Sequence, residues 1–312
     1  MSVSITLYGP SLHSLAHKIQ QRRPDLKVFY GDDLQQLPLD ALNASILICA
    51  PNDGQTLIEK MPNLCWFQST FTGIEPLLAP HLRQNYQLTN IRYALGTFMS
   101  EYVFSYILAW QRQHRHYFEA QHLHRWQPQP YRPLRDYQMV CLGSGSLAQK
   151  LALTARHFNL KTSAISRRGN AHEAFDHVCT WEHSKSLLEH ADIVVNLLPS
   201  TPQTQGIINH ALLDTLCDEV LLINVGRANS IDEAALLTFL EHHPKAQAVL
   251  DVAPTEPLNS DHIFWDHPQI TFTPHVAAPS QIEDIEPIIM ENLDRYLNGQ
   301  TLLYLVDFAT GY

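Results

Sequence analysis

The chain has 312 residues, 45% of them hydrophobic and 17% charged, with a formal net charge of −10; at roughly 150 residues per domain this length suggests about two domains. So much apolar material excludes a disordered chain, and no apolar run reaches the ~18 residues that a membrane-spanning helix needs. Acidic residues outnumber basic ones, 31 to 21, which argues against a general nucleic-acid or anionic-membrane surface.

The start, from Met1 to Tyr8, has neither a basic leader nor a cleavable apolar stretch, so no signal peptide is expected. Short apolar runs at Ile5–Tyr8, Lys27–Tyr30, Ser45–Cys49, Cys65–Gln68 and Gln87–Ile91 read as strands, with helical stretches at Leu15–Arg22 and Gln55–Lys60 between them. Strand and helix alternating at this spacing predict a parallel sheet with covered faces. From Gly96 the pattern changes. Phe98, Val103, Tyr106, Ile107 and Trp110 recur at helical spacing, which predicts one long helix from about Thr97 to about His124. A Pro-rich stretch (Pro128, Pro130, Pro133) precedes a second α/β series that starts at Tyr137 and ends near Pro274. A last helix, Gln281–Leu297, stops at Asn298-Gly299.

Two sets of metal-ligating residue types need a reading. His114, His116, His122 and His124 include no i,i+4 pair, so they mark a solvated or subunit-facing helix end rather than a metal site. Cys49, Cys65, Cys141, Cys179 and Cys217 are scattered, with no C-x-x-C pair. Most sit within apolar runs and read as small buried hydrophobes in a reducing, cytoplasmic compartment; the set is neither a disulfide framework nor a zinc ligand set. No metal is expected.

The apolar strand Gln138–Leu142 runs into Gly143-Ser144-Gly145-Ser146-Leu147-Ala148 and then a helical stretch. This is the G-x-G-x-x-A form of the dinucleotide fingerprint. Gly143 allows the tight turn, Gly145 leaves the pyrophosphate unobstructed, and Ala148 permits close helix–strand packing. The N–H groups of Ser146 and Leu147 open a helix whose dipole favours phosphate. After the next strand, Lys161–Ile165, an NAD-selective site carries an acidic residue for the ribose 2′-hydroxyl. Here Ser166-Arg167-Arg168 stands instead. A hydroxyl and two guanidiniums suit a 2′-phosphate, so NADP(H) is preferred, with NAD(H) as the alternative.

Three later apolar runs each deliver one polar residue: Leu221–Gly226 delivers Arg227, Ala248–Thr255 delivers Glu256, and Ile270–Pro274 delivers His275. Ligands in open α/β sheets sit beyond the carboxyl ends of strands, so these three can converge. With Asn224-Val225-Gly226-Arg227, Asp251 through Glu256-Pro257-Leu258, and Thr273-Pro274-His275-Val276-Ala277-Ala278 in this order, the chain resembles the D-isomer-specific 2-hydroxyacid dehydrogenase family over essentially its whole length. Within that family it looks most like the glyoxylate/hydroxypyruvate reductase A type. Glu101-Tyr102-Val103, His124-Arg125-Trp126-Gln127-Pro128 and the terminal Val306–Tyr312 carry the closer match.

The resemblance implies roles. Arg227 would fork onto the carboxylate and carbonyl oxygen of a 2-oxoacid and polarise the carbonyl. His275 would donate the proton, with Glu256 orienting its ring and favouring the imidazolium. Asp251, with backbone near Val225, would help fix the nicotinamide carboxamide, and Leu198, Pro199 and Thr204 would belong to the cofactor side. Thr72 and Gly73, after the strand ending at Gln68, would form an anion nest through their backbone N–H groups, and Arg92 would be either a second carboxylate contact or a surface arginine. Two departures from the family pattern stand out: Ala228 where glycine is usual, and Pro279-Ser280 after the histidine loop.

The expected fold is thus α/β, two Rossmann-like or flavodoxin-like domains with parallel sheets and a hinged cleft. Residues 1–95 plus 283–312 would bind substrate and residues 96–282 the dinucleotide. The expected partners are a small 2-oxoacid or 2-hydroxyacid and a second copy of the chain in a homodimer, with the long helix and Trp126 near the interface. Two rivals remain: a same-family dehydrogenase for a bulkier 2-oxoacid, and a non-catalytic, corepressor-like dinucleotide sensor on the same fold.

Overall fold

A computed structural model describes residues 3–311; Met1 and Ser2, within the expected leaderless start, and Tyr312, the last residue of the terminal motif, lie outside the described residues. In chain order the elements are β1 (Ser4–Tyr8), α1 (His13–Arg22), β2 (Lys27–Gly31), α2 (Leu39–Leu42), β3 (Ile46–Cys49), α3 (Pro51–Leu57), β4 (Trp66–Ser69) and β5 (Gln87–Thr89). Then follow α4 (Gly96–Gln111), α5 (His114–His122), β6 (Gln138–Leu142), α6 (Ser146–Arg156), β7 (Lys161–Ile165), β8 (His177–Cys179), α7 (Lys185–Glu189), β9 (Ile193–Asn196) and α8 (His210–Leu213). The chain closes with β10 (Leu221–Asn224), α9 (Glu233–His242), β11 (Gln247–Leu250), β12 (Ile270–Phe272) and α10 (Ile282–Leu297).

The chain divides into two compact units. One takes the chain up to Ala94 and again from Ser280; the other is Leu95–Pro279. The first unit is a parallel sheet in the order β2-β1-β3-β4-β5. Its central strands Ile46–Cys49 and Trp66–Ser69 are buried at every residue, as expected of parallel strands covered on both faces. The segment from Ser280 returns to this sheet through α10. Ile282, Ile285, Ile289 and Leu293 form the buried stripe of that helix, at the spacing that one helical face requires. Glu283 and Asp284 lie in its first turn and Arg295 in its last, each sign matching the helix dipole. Gly299, at φ 65, ends it. A buried polar chain fixes the register: Asn292 donates to Gln68 Oε1 (2.9 Å), Thr89 Oγ1 donates to the same oxygen (2.8 Å), and Trp66 Nε1 donates to Thr89 Oγ1 (2.8 Å).

The second unit is a parallel sheet in the order β12-β11-β10-β9-β6-β7-β8. Alternation along each strand assigns its faces. Met139, Cys141, Ile193, Val195, Leu221 and Ile223 pack with Val103 and Ile107 of α4 and Leu151 and Ala155 of α6. Val140, Leu142, Val194 and Leu222 pack instead with Leu212 and Leu213 of α8 and with Leu236, Phe239 and Leu240 of α9. Asp232 caps α9, its side chain accepting from Ala235 N.

One expected element differs. The long helix from Thr97 to His124 is two helices, because Gln113 sits in the left-handed region at φ 55 and separates α4 from α5. Two glutamines tie this break to the Pro-rich stretch: Gln111 Nε2 donates to Arg132 O at 2.6 Å and Gln113 Nε2 to Pro130 O at 3.1 Å. The apolar spacing that suggests one helix ends at Trp110; within α5 only Ala120 is buried. The strand expected over Gln87–Ile91 ends at Thr89. There Asn90 N turns to Tyr304 O and Ile91 N to Phe71 O. No described helix is long and apolar enough to cross a membrane.

Candidate active site

The sheet order of the second unit decides where a ligand can lie. β6 is flanked by β7 on one side and β9 on the other, so the chain leaves β6 in one direction and returns in the opposite one. The crevice at the carboxyl ends of strands at such a reversal is the general ligand position of open α/β sheets. Gly143 and Gly145 follow β6 there. Gly143 has φ 104, which an L side chain rarely adopts. A Cβ built on Gly145 meets no protein atom within 4 Å, so the missing side chain leaves open room where a pyrophosphate can approach the backbone. α6 begins at Ser146 without a side-chain cap, leaving its first N–H groups available to an anion. The residues present therefore fit a dinucleotide. Ser166, half-buried, and the exposed Arg167 and Arg168 follow β7, on the side of β6 away from β9. Ser166 Oγ accepts Gly169 N at 3.2 Å, closing that loop.

On the other side of β6, each neighbouring strand ends in one of the expected residues. Leu198 and Pro199 follow β9, and Thr204 holds their loop by donating to Pro199 O at 2.6 Å. Val225, Gly226 and Arg227 follow β10. A Cβ on Gly226 would lie 2.8 Å from Leu198 O and 2.9 Å from Leu198 N, so only glycine lets these two strand ends close up. Arg227 Nη1 donates to Gly226 O at 2.9 Å. The backbone beneath it is framed by a polar network that local spacing could not announce. The side chains of Asn196, Asn224 and Ser230 are fully buried. Asn196 Nδ2 donates to Asn224 Oδ1 (2.8 Å) and Ser230 Oγ (2.6 Å), while Ser230 Oγ donates to Arg227 O (2.6 Å). Each donor in this network has an acceptor, so its burial carries little desolvation penalty.

Asp251 follows β11 and His275 follows β12. The parallel register pairs Val249 with Thr271 and Leu250 with Phe272, so Thr273 comes opposite Asp251. The Asp251 carboxylate, 2% exposed, accepts Thr273 Oγ1 (2.7 Å), Val276 N (2.8 Å) and Ala277 N (2.9 Å). His275 N donates to Asp251 O at 2.8 Å. This clamp holds His275 at φ 56, a left-handed conformation that costs a non-glycine residue about 1–2 kcal/mol. The exposed imidazole is placed by Glu256: Nδ1 lies 2.9 Å from Oε2, while Glu256 Oε1 accepts Ala253 N at 3.1 Å. His275, Glu256 and Asp251 are thus brought together on neighbouring strand ends, and Arg227 stands on the next strand end along the sheet.

The remaining expected residues belong to the first unit. Thr72 and Arg92 share one partner, Asn90, whose Nδ2 donates to Thr72 O at 2.8 Å and whose Oδ1 accepts Arg92 Nε at 3.1 Å. Gly73 follows directly in the same loop. Asn90 was not singled out by sequence reasoning; its position at the end of an apolar strand was the only local signal. Among the described residues, no group of three or more His, Cys, Asp or Glu side chains is arranged to hold a metal ion.

Comparison with known proteins adds the following. Residues 104–277 match the family model described as D-isomer specific 2-hydroxyacid dehydrogenase, NAD binding domain. The chain is similar to the crystal structure of a D-isomer specific 2-hydroxyacid dehydrogenase family protein from Aeromonas salmonicida, with 34% identity, 99% of this chain and 100% of that chain covered, and a TM-score of 0.88. It is 26% identical to the NADPH-dependent glyoxylate/hydroxypyruvate reductase of Sinorhizobium meliloti in complex with NADP and sulfate, over 100% of both chains, with a TM-score of 0.87. A D-isomer specific 2-hydroxyacid dehydrogenase from Xanthobacter autotrophicus in complex with NADPH and MES is also 26% identical over 100% of both chains, with a TM-score of 0.90.

Proposed function

This chain belongs to the D-isomer specific 2-hydroxyacid dehydrogenase family, and from that premise we propose that it reduces a small 2-oxoacid, of the glyoxylate or hydroxypyruvate class, to the 2-hydroxyacid. The chain uses a nicotinamide dinucleotide, in keeping with the family's NAD-binding domain matched over residues 104–277. The observation that carries the reaction is the pairing of His275 Nδ1 with Glu256 Oε2 at 2.9 Å, on the same sheet edge as the Gly143–Gly145 loop. With Nδ1 turned to the carboxylate, Nε2 is the nitrogen that faces substrate and gives up the proton.

The bound reduced nicotinamide supplies the hydride. Arg227 aligns the 2-oxoacid and stabilises the charge that develops on its carbonyl oxygen. His275 protonates that oxygen, and Glu256 holds the ring in line. Thr72, Gly73 and Arg92 of the first unit are the groups proposed for the substrate carboxylate. Gly143, Gly145, Ser146 and Leu147 are proposed for the pyrophosphate, with Leu198, Pro199, Thr204, Val225 and Asp251 on the nicotinamide side. Ser166, Arg167 and Arg168 would take a 2′-phosphate, which makes NADPH the preferred reductant; the NADP-bound S. meliloti reductase supports this preference.

A homodimer is part of the proposal. Trp126 is 97% exposed and Phe118 63% exposed, in the same stretch of chain whose His116, Glu119 and Gln129 line, with Trp110, Arg132 and Tyr137, a cavity of about 1080 Å³. A second copy would cover this surface. Five free cysteines suit a reducing, cytoplasmic setting.

One observation favours a second reading, a bulkier 2-oxoacid. Phe71 and Tyr93 are 47% and 60% exposed next to Thr72 and Arg92, and Tyr93 holds φ 66, an unusual conformation for an aromatic residue. Steady-state kinetics with glyoxylate, hydroxypyruvate and phenylpyruvate, each with NADPH and NADH, separate the two readings. The first expects the highest kcat/KM on a two- or three-carbon acid with NADPH; a preference for phenylpyruvate favours the second. His275→Gln should lower kcat by roughly 10²-fold with cofactor affinity unchanged. Absence of turnover on every 2-oxoacid would replace both readings with the non-catalytic dinucleotide sensor.

A further inference from the structure

Tyr102 lies on α4, 171 residues before Thr273, yet its hydroxyl is 2.5 Å from Thr273 Oγ1. The direction of that bond follows from what each group can do. The Asp251 carboxylate only accepts, and Thr273 Oγ1 donates to its Oδ1 at 2.7 Å. A threonine hydroxyl has one hydrogen, so Thr273 must accept from Tyr102. The result is a directed chain: Tyr102 O–H to Thr273 O–H to Asp251. Burial holds the Tyr102 phenol well above its ordinary range, so it keeps the proton that this chain requires.

Asp251 is the hub of the histidine loop. Its side chain receives the N–H groups of Val276 and Ala277, and its carbonyl receives His275 N. These anchors keep His275 in its left-handed backbone conformation. The imidazole itself is exposed, with Glu256 as the partner of Nδ1, so its aim depends on the backbone beneath it. The Tyr102 ring is in turn packed against Tyr106 one helical turn away, with centroids 4.9 Å apart. α4 is seated on the sheet through Val103 and Ile107. A rigid, sheet-anchored helix therefore reaches the acid loop through one hydroxyl.

We propose that Tyr102 is a positioning residue for His275, acting through Thr273 and Asp251. The proposal rests on the reading of His275 as the proton donor. It does not require Tyr102 to touch substrate or cofactor. Removing the phenolic hydroxyl leaves the Thr273–Asp251 bond intact but releases its end, so the loop keeps its fold and loses some of its aim. Misplacing an acid by a fraction of an ångström costs turnover rather than cofactor affinity.

The test compares Tyr102→Phe, Thr273→Val and Thr273→Ser in the full-length enzyme, each also built on His275→Gln. Tyr102→Phe and Thr273→Val should lower kcat by about tenfold, with NADPH affinity by fluorescence titration within about twofold. Thr273→Ser, which keeps the hydroxyl, should retain most of the activity. On the His275→Gln background, Tyr102→Phe should change kcat by less than about twofold, because the group it positions is gone. Wild-type kcat in Tyr102→Phe alongside a deficient His275→Gln overturns the proposal and leaves the His275 reading standing. So does an equal loss on both backgrounds, which would mean that Tyr102 acts elsewhere. Wild-type kcat in His275→Gln removes the parent reading and this proposal with it.

Discussion

Arg227 illustrates how much a single side chain depends on its backbone. Its carbonyl accepts Ser230 Oγ and Asn224 Nδ2, so the guanidinium leaves from a fixed point at the end of β10. A fork that binds the ground-state carboxylate and also stabilises the developing oxyanion contributes to both KM and kcat. Arg227→Ala should therefore raise KM for glyoxylate and lower kcat together; a variant with unaltered kinetics would show that the guanidinium serves another purpose. Arg227→Lys should rescue little, because an ammonium cannot reproduce the planar fork. The cysteines make a second residue-scale case. Burial pushes the Cys141 thiol up to about 12 and raises Cys49 well above its ordinary value, so at pH 8 neither carries appreciable thiolate, the reactive form. Cys65 is exposed and Cys217 half-buried. A thiol-reactive chromophore at pH 8 should label Cys65 first and Cys217 more slowly, reaching Cys49 and Cys141 only after denaturant is added. Rapid labelling of Cys141 in the folded enzyme would contradict the core packing.

At the scale of an element, the proposed preference for NADPH rests on the turn after β7. The acidic residue that would bind a ribose hydroxyl and repel a 2′-phosphate is replaced there by Ser166 and two exposed arginines. Arg167→Ala/Arg168→Ala should weaken NADPH binding by at most a few kcal/mol, the scale of two hydrogen bonds to charged groups, while NADH binding changes little. Because these charges face water, NADPH affinity of the wild type should fall with ionic strength more steeply than NADH affinity. Paired titrations on the wild type and the double variant check both points; an unchanged NADPH/NADH ratio would mean that the arginines are solvated surface only. The same scale explains the break in the expected long helix. Amphipathic spacing held the prediction together as far as Trp110. Past that point a left-handed Gln113 and the bonds of Gln111 and Gln113 to the Pro-rich stretch redirect the chain into α5.

For the whole molecule, the surface that the proposed homodimer would use lies at the opposite edge of the second sheet from the site. The cavity lining includes Tyr137, Asp192, Leu221 and Gln247, at or just before the amino ends of β6, β9, β10 and β11, whereas the Gly loop, Arg227 and His275 follow carboxyl ends. Association can then cover exposed aromatic surface without obstructing the carboxyl-end loops. Exposed apolar patches of this kind mark interaction surfaces. Light scattering at micromolar concentration should give a mass about twice 35.6 kDa, and Trp126→Ser with Phe118→Ser should shift it toward the monomer. A wild-type chain that stays monomeric would exclude this interface.

What the sequence alone determined is what depends on near neighbours along the chain. Apolar runs identified the central strands, the G-x-G-x-x-A spacing located the loop after β6, and single polar residues after apolar runs located Arg227, Glu256 and His275. Each is legible because strand burial, tight turns and helix starts are properties of a few consecutive residues. The tertiary structure decided the contacts between distant segments. Asp251 meets Thr273 only because β11 and β12 pair in one register, Tyr102 reaches Thr273 only because α4 lies on that sheet, and Asn196, Asn224 and Ser230 meet only where β9 and β10 end side by side. Hydrogen bonds of this kind are set by how elements pack, which no local pattern encodes. The sequence therefore located the groups proposed to do chemistry, and only the folded chain located the buried polar contacts that hold their loops.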